Sequence, residues 1–394
     1  MDNERWLLPE GVDEVLPPQA WNLENLRRDL LNLYRSWGYE LVIPPFIEFL
    51  DSLLTGAGSD LDLKTFKLTD QITGRLMGVR ADMTPQAARM DAHQLRRDVP
   101  TRLCYLETVL HTRSDGFASS RNPLQIGAEL FGHAGVESDV EVLCLMMETL
   151  KHTGIDDLYL DLGHVGIYRG LAQQAGLDEA GEQALFDALQ RKAMPEIATL
   201  LKELKVQKPA AGMLASLAEL NGDDAIERAK TVLSEADRDV QDALSYLEQV
   251  AKMVRQRLPN VPLHFDLGEL RCYHYQTGVV FAAFVPGRGQ EIARGGRYDA
   301  IGKMFGRARP ATGFSADLKA LLQLGKWVAP QSDEDERIYA PWSDDPALLQ
   351  EIENLRGQGK NVVCALPGQT GDAVEMGCNK ILKQQDNTWI VSSI

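Results

Sequence analysis

Gln125, Gly127 and Glu129 alternate within five residues, so on a β-strand they share one face and leave a bare backbone position between an amide and a carboxylate. Such a face can floor a pocket for a small polar ligand. The same spacing fits an ordinary strand with its polar side to water, and these residues alone leave both readings open. Arg80-Ala81-Asp82-Met83-Thr84 sets an acid and a hydroxyl at turn spacing, where short polar side chains satisfy nearby backbone. Ala293-Arg294-Gly295-Gly296-Arg297-Tyr298-Asp299 places two glycines, which let backbone approach closely, just before three polar residues. A turn of pure architecture is the alternative there. No nucleophile is marked: Cys272 reads as a small filler and His274 as a structural histidine.

The elements that position these residues follow from periodicity. Residues 21–37 carry Leu23, Leu26, Leu30, Leu31 and Tyr34 at three- and four-residue spacing, an amphipathic helix that stops at Gly38. Residues 39–43 read as a strand ended by Pro44-Pro45. Residues 103–150 read as two strands joined by a polar loop (114–122) and followed by a helix. Helical spacing fills 168–258, an insert. Strands return at 263–267 and 278–285, with a hairpin turn at Pro286-Gly287-Arg288-Gly289 leading back into 291–294. The acidic run 332–336 reads as a linker. Beyond it, 338–340, a helix over 345–358, 361–366 and 388–391 form a small α/β tail.

Bulk properties bound the partners. A chain of 394 residues with 44% hydrophobic and 25% charged residues is expected to be soluble and globular with two or three domains. No stretch approaches the roughly 20 apolar residues of a membrane helix, and the start lacks a basic region followed by an apolar run. The cytoplasm is the expected address. Five cysteines without a Cys-x-x-Cys pair point to reduced thiols and no zinc site. Lys+Arg 41 against Asp+Glu 57 gives a net charge of −16, against a phosphate-gripping surface. Residues 331–394 carry 5 Lys+Arg and 11 Asp+Glu, a net of −6.

In this order, the stretches resemble histidyl-tRNA synthetase, a class II aminoacyl-tRNA synthetase. The 125–129 strand and the 293–299 string are similar to its amino-acid pocket. Residues 80–84 resemble its Arg-Pro-Glu-Gly-Thr, whose acid and threonine hold the ligand ammonium. Arg271-Cys272-Tyr273-His274-Tyr275-Gln276-Thr277-Gly278 resembles its Arg-Gly-Leu-Asp-Tyr-Tyr-Thr, with Gln276 in place of one tyrosine. The helix and strand over 21–43 resemble the first class II signature, an element that pairs across a dimer interface. The resemblance spans about residues 8–324. It implies an α+β fold, an antiparallel sheet flanked by helices, with a synthetase-like core over 1–330, a helical insert at about 170–258 and a small α/β domain over 331–394. It assigns histidine binding to Asp82, Thr84, Gln125, Glu129, Arg271, Tyr275 and Tyr298. Glu129 would meet the imidazole N–H, and Arg271 would pair with the ligand carboxylate as arginine does.

Adenylation needs cationic groups on the transferring phosphate. Where the synthetase has Phe-Arg-x-Glu, this chain has Leu110-His111-Thr112-Arg113. Where it has Gly-Leu-Glu-Arg, the chain has Asp317-Leu318-Lys319-Ala320. Losing one such donor costs about 10²–10³ in rate, and losing two argues against a working synthetase. In its whole string of motifs the chain resembles the synthetase-paralogue family of ATP phosphoribosyltransferase regulatory subunits. No cofactor, metal, nucleic acid or membrane partner is expected. The family implies a self-dimer within a hetero-octamer, a short-form catalytic subunit as partner that the chain activates, and histidine as an inhibitory allosteric ligand. The alternatives are a working histidyl-tRNA synthetase-like adenylating enzyme, a synthetase-like enzyme acting on another substrate, and a histidine-binding module without a catalytic partner.

Overall fold

Leu26, Leu30 and Tyr34 recur at helical spacing, and in the computed structural model, which describes residues 6–55, 59–114, 120–268, 273, 275–328 and 336–394, they form the buried stripe of helix Gln19–Ser36. Each buried leucine there stabilises the fold by about 1.5–3 kcal/mol. The helix ends where Gly38 takes φ +82° and its N–H donates to the Arg35 carbonyl at 3.0 Å, a conformation glycine adopts without penalty.

The chain separates into two compact units, Met1–Trp327 and Val328–Ile394. The first is organised on a nine-stranded sheet. Its strands, in chain order, are β1 (Glu40–Leu41), β2 (Thr101–Thr108), β3 (Leu124–Phe131), β4 (Tyr159–His164), β5 (Asn221–Gly222), β6 (Leu263–Asp266), β7 (Val279–Phe284), β8 (Ala293–Arg297) and β9 (Ala311–Asp317). Their spatial order is β1-β2-β3-β9-β8-β7-β4-β6-β5. The centre is antiparallel as expected, but β1 pairs with β2 and β4 with β6 in parallel, so the sheet is mixed. The strand expected over 39–43 shortens to two ladder residues before the prolines, which cannot donate to a ladder. Among the described residues of this unit there is also a small sheet of Ile47–Phe49, Lys67–Thr69 and Leu76–Val79; strands this short carry too few residues for periodicity to reveal.

Alternation divides the two faces of β3. Ile126, Ala128 and Leu130 enter the main core, which helices Gln19–Ser36, Val136–His152 and the insert helices share. Gln125, Gly127, Glu129 and Phe131 face the other way, beside a smaller cluster of Met83, Leu103, Tyr105, Tyr298 and Ala311. The insert comprises six α-helices, from Val165–Gln174 to Arg238–Arg257, and one short 3-10 turn, Leu217–Glu219. The second unit is a four-stranded sheet in which Arg337–Ala340, Asn361–Cys364, Lys380–Gln385 and Thr388–Ser393 pair, with helix Pro346–Gly357 burying Leu348, Ile352 and Leu355.

A buried ion pair fastens β8 to helix Val136–His152. Asp139 is 0% and Arg297 6% exposed at the side chain, with Nη2 and Oδ1 3.0 Å apart. The guanidinium also donates to the carbonyls of His133 and Gly135, each at 3.2 Å, and to the Ser138 hydroxyl at 2.9 Å, while the Tyr246 hydroxyl donates to Asp139. Removing one partner strands a buried charge, so Arg297→Met is expected to cost about 3–5 kcal/mol in urea unfolding. The double variant with Asp139→Leu regains part of that loss; equal loss in both would show that the pair is not what stabilises this junction.

Candidate functional site

Tyr105 of β2 lies opposite Gly127 of β3, and Glu129 lies opposite Gly313 of β9, which is in turn opposite Gly296 of β8. This register makes a bare floor. A Cβ at Gly313 would stand 1.6 Å from Glu129 Oε2, one at Gly127 2.5 Å from the Tyr105 hydroxyl, and one at Gly296 2.7 Å from Gln276 Oε1. Over this floor opens a cavity of about 940 Å³, which Asp82, Thr84, Gln125, Glu129, Tyr275 and Tyr298 all line. Of the seven expected binding residues, Arg271 lies outside the described residues, as do Cys272 and His274.

Glu129 is 1% exposed. Its Oε1 accepts from the Tyr105 hydroxyl at 2.9 Å and its Oε2 from the Tyr298 hydroxyl. Burial pushes its carboxyl up to about 8, against the pull of the tyrosine hydrogen bonds, and Asp82 pushes it further in the same direction. Burial likewise holds both phenols well above their ordinary range, so they remain donors. Tyr298 reaches this position because Arg297 is pinned, the Tyr298 N–H donates to Ala311 and the Thr277 N–H to the Arg297 carbonyl. Tyr275 stacks on Tyr298, with ring centroids 5.1 Å apart.

Asp82 sits just before helix Thr84–Met90. Its Oδ1 accepts from the Thr84 N–H at 3.1 Å and from Gln125 Nε2 at 2.8 Å, while Gln125 Oε1 accepts from the Met83 N–H at 3.0 Å. Gln125 is therefore spent on orienting the turn, and among the described residues Asp82 Oδ2 takes no hydrogen bond. Thr84 Oγ1 stands 3.1 Å from the Tyr105 hydroxyl, joining the turn to the Glu129 cluster.

At the other end, His111 and Ala320 line the same cavity with Lys319 and Asp13. His111 Nε2 donates to the Ala81 carbonyl at 2.9 Å. Lys319, 10% exposed, stands 3.0 Å from Asp13. Arg113 is exposed. Among the described residues no group of three or more His, Cys, Asp or Glu side chains is arranged to hold a metal ion. Sequence reasoning missed Tyr105 and Gly313: both act through registers that pair residues far apart in the chain, and the room expected for a ligand above Gly127 holds the Tyr105 phenol.

The chain matches the family model described as histidyl-tRNA synthetase over residues 11–321, and that of the C-terminal domain of ATP phosphoribosyltransferase subunit HisZ over 335–392. It is 57% identical to the ATP phosphoribosyltransferase regulatory subunit of Thioalkalivibrio sulfidiphilus, covering 100% of both chains, and 58% identical to that of Alkalilimnicola ehrlichii, covering 98% of this chain and 96% of the relative. Among solved structures, an ATP phosphoribosyltransferase regulatory subunit/histidyl-tRNA synthetase from Bacillus halodurans superposes with TM-score 0.82 at 26% identity, covering 94% of this chain and 96% of that one. The histidyl-tRNA synthetase of Nostoc shares the fold with TM-score 0.77 at 18% identity, covering 98% and 97%.

Since the Tyr105 hydrogen bond favours the charged form of Glu129, Tyr105→Phe is expected to raise the carboxyl's titration midpoint above about 8. Carbon-13 shifts of labelled glutamate across a pH series would read it; a midpoint that stays put would remove Tyr105 from the cluster.

Proposed function

The chain belongs to the ATP phosphoribosyltransferase regulatory subunit family, built on the histidyl-tRNA synthetase fold, and from that premise we propose that its cavity is a histidine receptor through which a catalytic partner is controlled. Asp82 takes the ligand ammonium, Glu129 a ring N–H, and Tyr275 and Tyr298 the ring face, with Thr84 and Gln125 setting the turn and Arg271 assigned the carboxylate by family resemblance. The partner is the short-form catalytic subunit of the first step of histidine biosynthesis. The chain pairs with itself, joins that subunit in a hetero-octamer in the cytoplasm, activates it, and passes on inhibition when histidine binds.

One observation carries this reading: side chains from four separate stretches of sequence line one cavity, while its opposite end presents His111 and Ala320 where adenylation needs two cations. An acid-rich pocket suits an ammonium and an imidazole and disfavours a triphosphate. No helix among the described residues is long and apolar enough to cross a membrane. Histidine can shift the assembly by no more than its affinity difference between the two states, and active-site ligands of the partner must alter histidine affinity reciprocally.

Mixing the chain with the short catalytic subunit, with and without histidine, is expected to raise transferase activity and then suppress it. Unchanged kinetics would overturn the regulatory assignment, and histidine-dependent ATP–pyrophosphate exchange, expected to be undetectable, would restore the enzyme alternative. Glu129→Ala is expected to weaken histidine binding by about 1–3 kcal/mol in calorimetry, the range for an unmet polar partner, with co-purification intact. Unaltered affinity would refute the pocket.

A further inference from the structure

We propose that the empty receptor stores one proton at Glu129 and that the ring of a bound ligand shares that proton, so the site recognises a basic heteroaromatic amino acid together with a proton rather than a neutral ring alone. The proposal rests on the reading of the cavity as a histidine receptor.

Among the described residues the geometry gives the carboxylate no counter-charge. The groups that face Glu129 are Tyr105 from β2, Tyr298 beyond β8 with Tyr275 stacked on it, and Asp82 and Thr84 at the start of helix Thr84–Met90. From β9 and β8 come only Gly313 and Gly296. Tyr39 feels the Glu129 charge more weakly, after its own burial and the nearer Glu141 and Arg102. Among the described residues no Lys, Arg or His forms an ion pair with Glu129, and the second carboxylate, Asp82, opposes its ionisation. An isolated buried charge costs several kcal/mol, and two phenol donors offset only part of it. Holding a proton removes the remainder, in keeping with the weak acidity that burial imposes.

When a neutral imidazole arrives, its unprotonated nitrogen offers an acceptor to the Glu129 O–H. Either the carboxyl donates a hydrogen bond, or its O–H bond breaks as a ring N–H bond forms, leaving imidazolium against carboxylate. Both arrangements hold one proton and no net charge, and the tyrosines go on donating. The free partners differ with pH. Above about 8 the empty carboxyl has lost its proton, so binding must take one up and affinity falls as pH rises. Below about 6.5 the free ring brings its own proton, so binding must release one and affinity falls as pH drops. Between these limits affinity is flat.

Calorimetry of histidine binding to the full-length chain, in pairs of buffers with different ionisation heats, reads the proton count. Uptake near zero at pH 7 and about three-quarters of a proton at pH 8.5 is expected, with affinity falling about fourfold between the two. The ligand's own ammonium adds the same small amount to every variant, so Glu129→Gln, binding more weakly, is expected to lose the rise. Where that variant binds too weakly to measure, the wild-type affinity profile decides alone. Binding with no alkaline fall in affinity, or with equal uptake in both proteins, overturns the stored proton and leaves the receptor standing. No histidine binding at any pH instead removes the receptor itself.

Discussion

A carboxyl group that no cation among the described residues pairs with is buried on β3 of the nine-stranded sheet, and much of the surrounding architecture can be traced to keeping it there. Glu129 has space because Gly313 opposite it has no side chain, and it has donors because the β2–β3 register brings Tyr105 alongside and the pinned end of β8 turns Tyr298 inward. The Arg297–Asp139 pair, buried on the far side of β8, spends a full guanidinium on holding that strand end. Strong ionic bonding thus serves the scaffold, while among the described residues the group facing the cavity is held by hydroxyls.

Charge is distributed along the cavity in the same spirit. Asp82 and Glu129 face the space from one end. At the other, Lys319 is committed to Asp13 and the His111 ring to a backbone carbonyl. The lining also holds Lys64, Arg288 and Arg294, against carboxylates at Asp13, Asp82, Glu129, Asp161, Glu291 and Asp317, so acids outnumber bases there as they do in the whole chain.

The main elements were legible because their signals are local. Leucine spacing gave the long first helix to within two residues, and alternation in 125–129 placed Gln125 and Glu129 on one face. What escaped depends on distance along the chain. Tyr105 is unremarkable inside an apolar strand until Gly127 stands opposite it, and Gly313 is one glycine among 33 until Glu129 leans over it. Gln125 was recognised by position, yet its amide turns on Asp82 and the Met83 N–H, an outcome set by the helix that begins at Thr84. The strand Lys380–Gln385 went unread because its second half, Lys383-Gln384-Gln385, is polar and exposed throughout and shows no alternation.

The glycine floor also bears on how such a site can change over generations. Gly127, Gly296 and Gly313 each leave less room than a methyl group requires, so a side chain at any of them must displace Tyr105, Gln276 or Glu129 rather than fine-tune the cavity. Adjustment is left to the roof, at Tyr275 and Gln276, where side chains meet the space without carrying the sheet. Drift in such a lineage is therefore expected to retune selectivity from above, and to abolish it from below in one step.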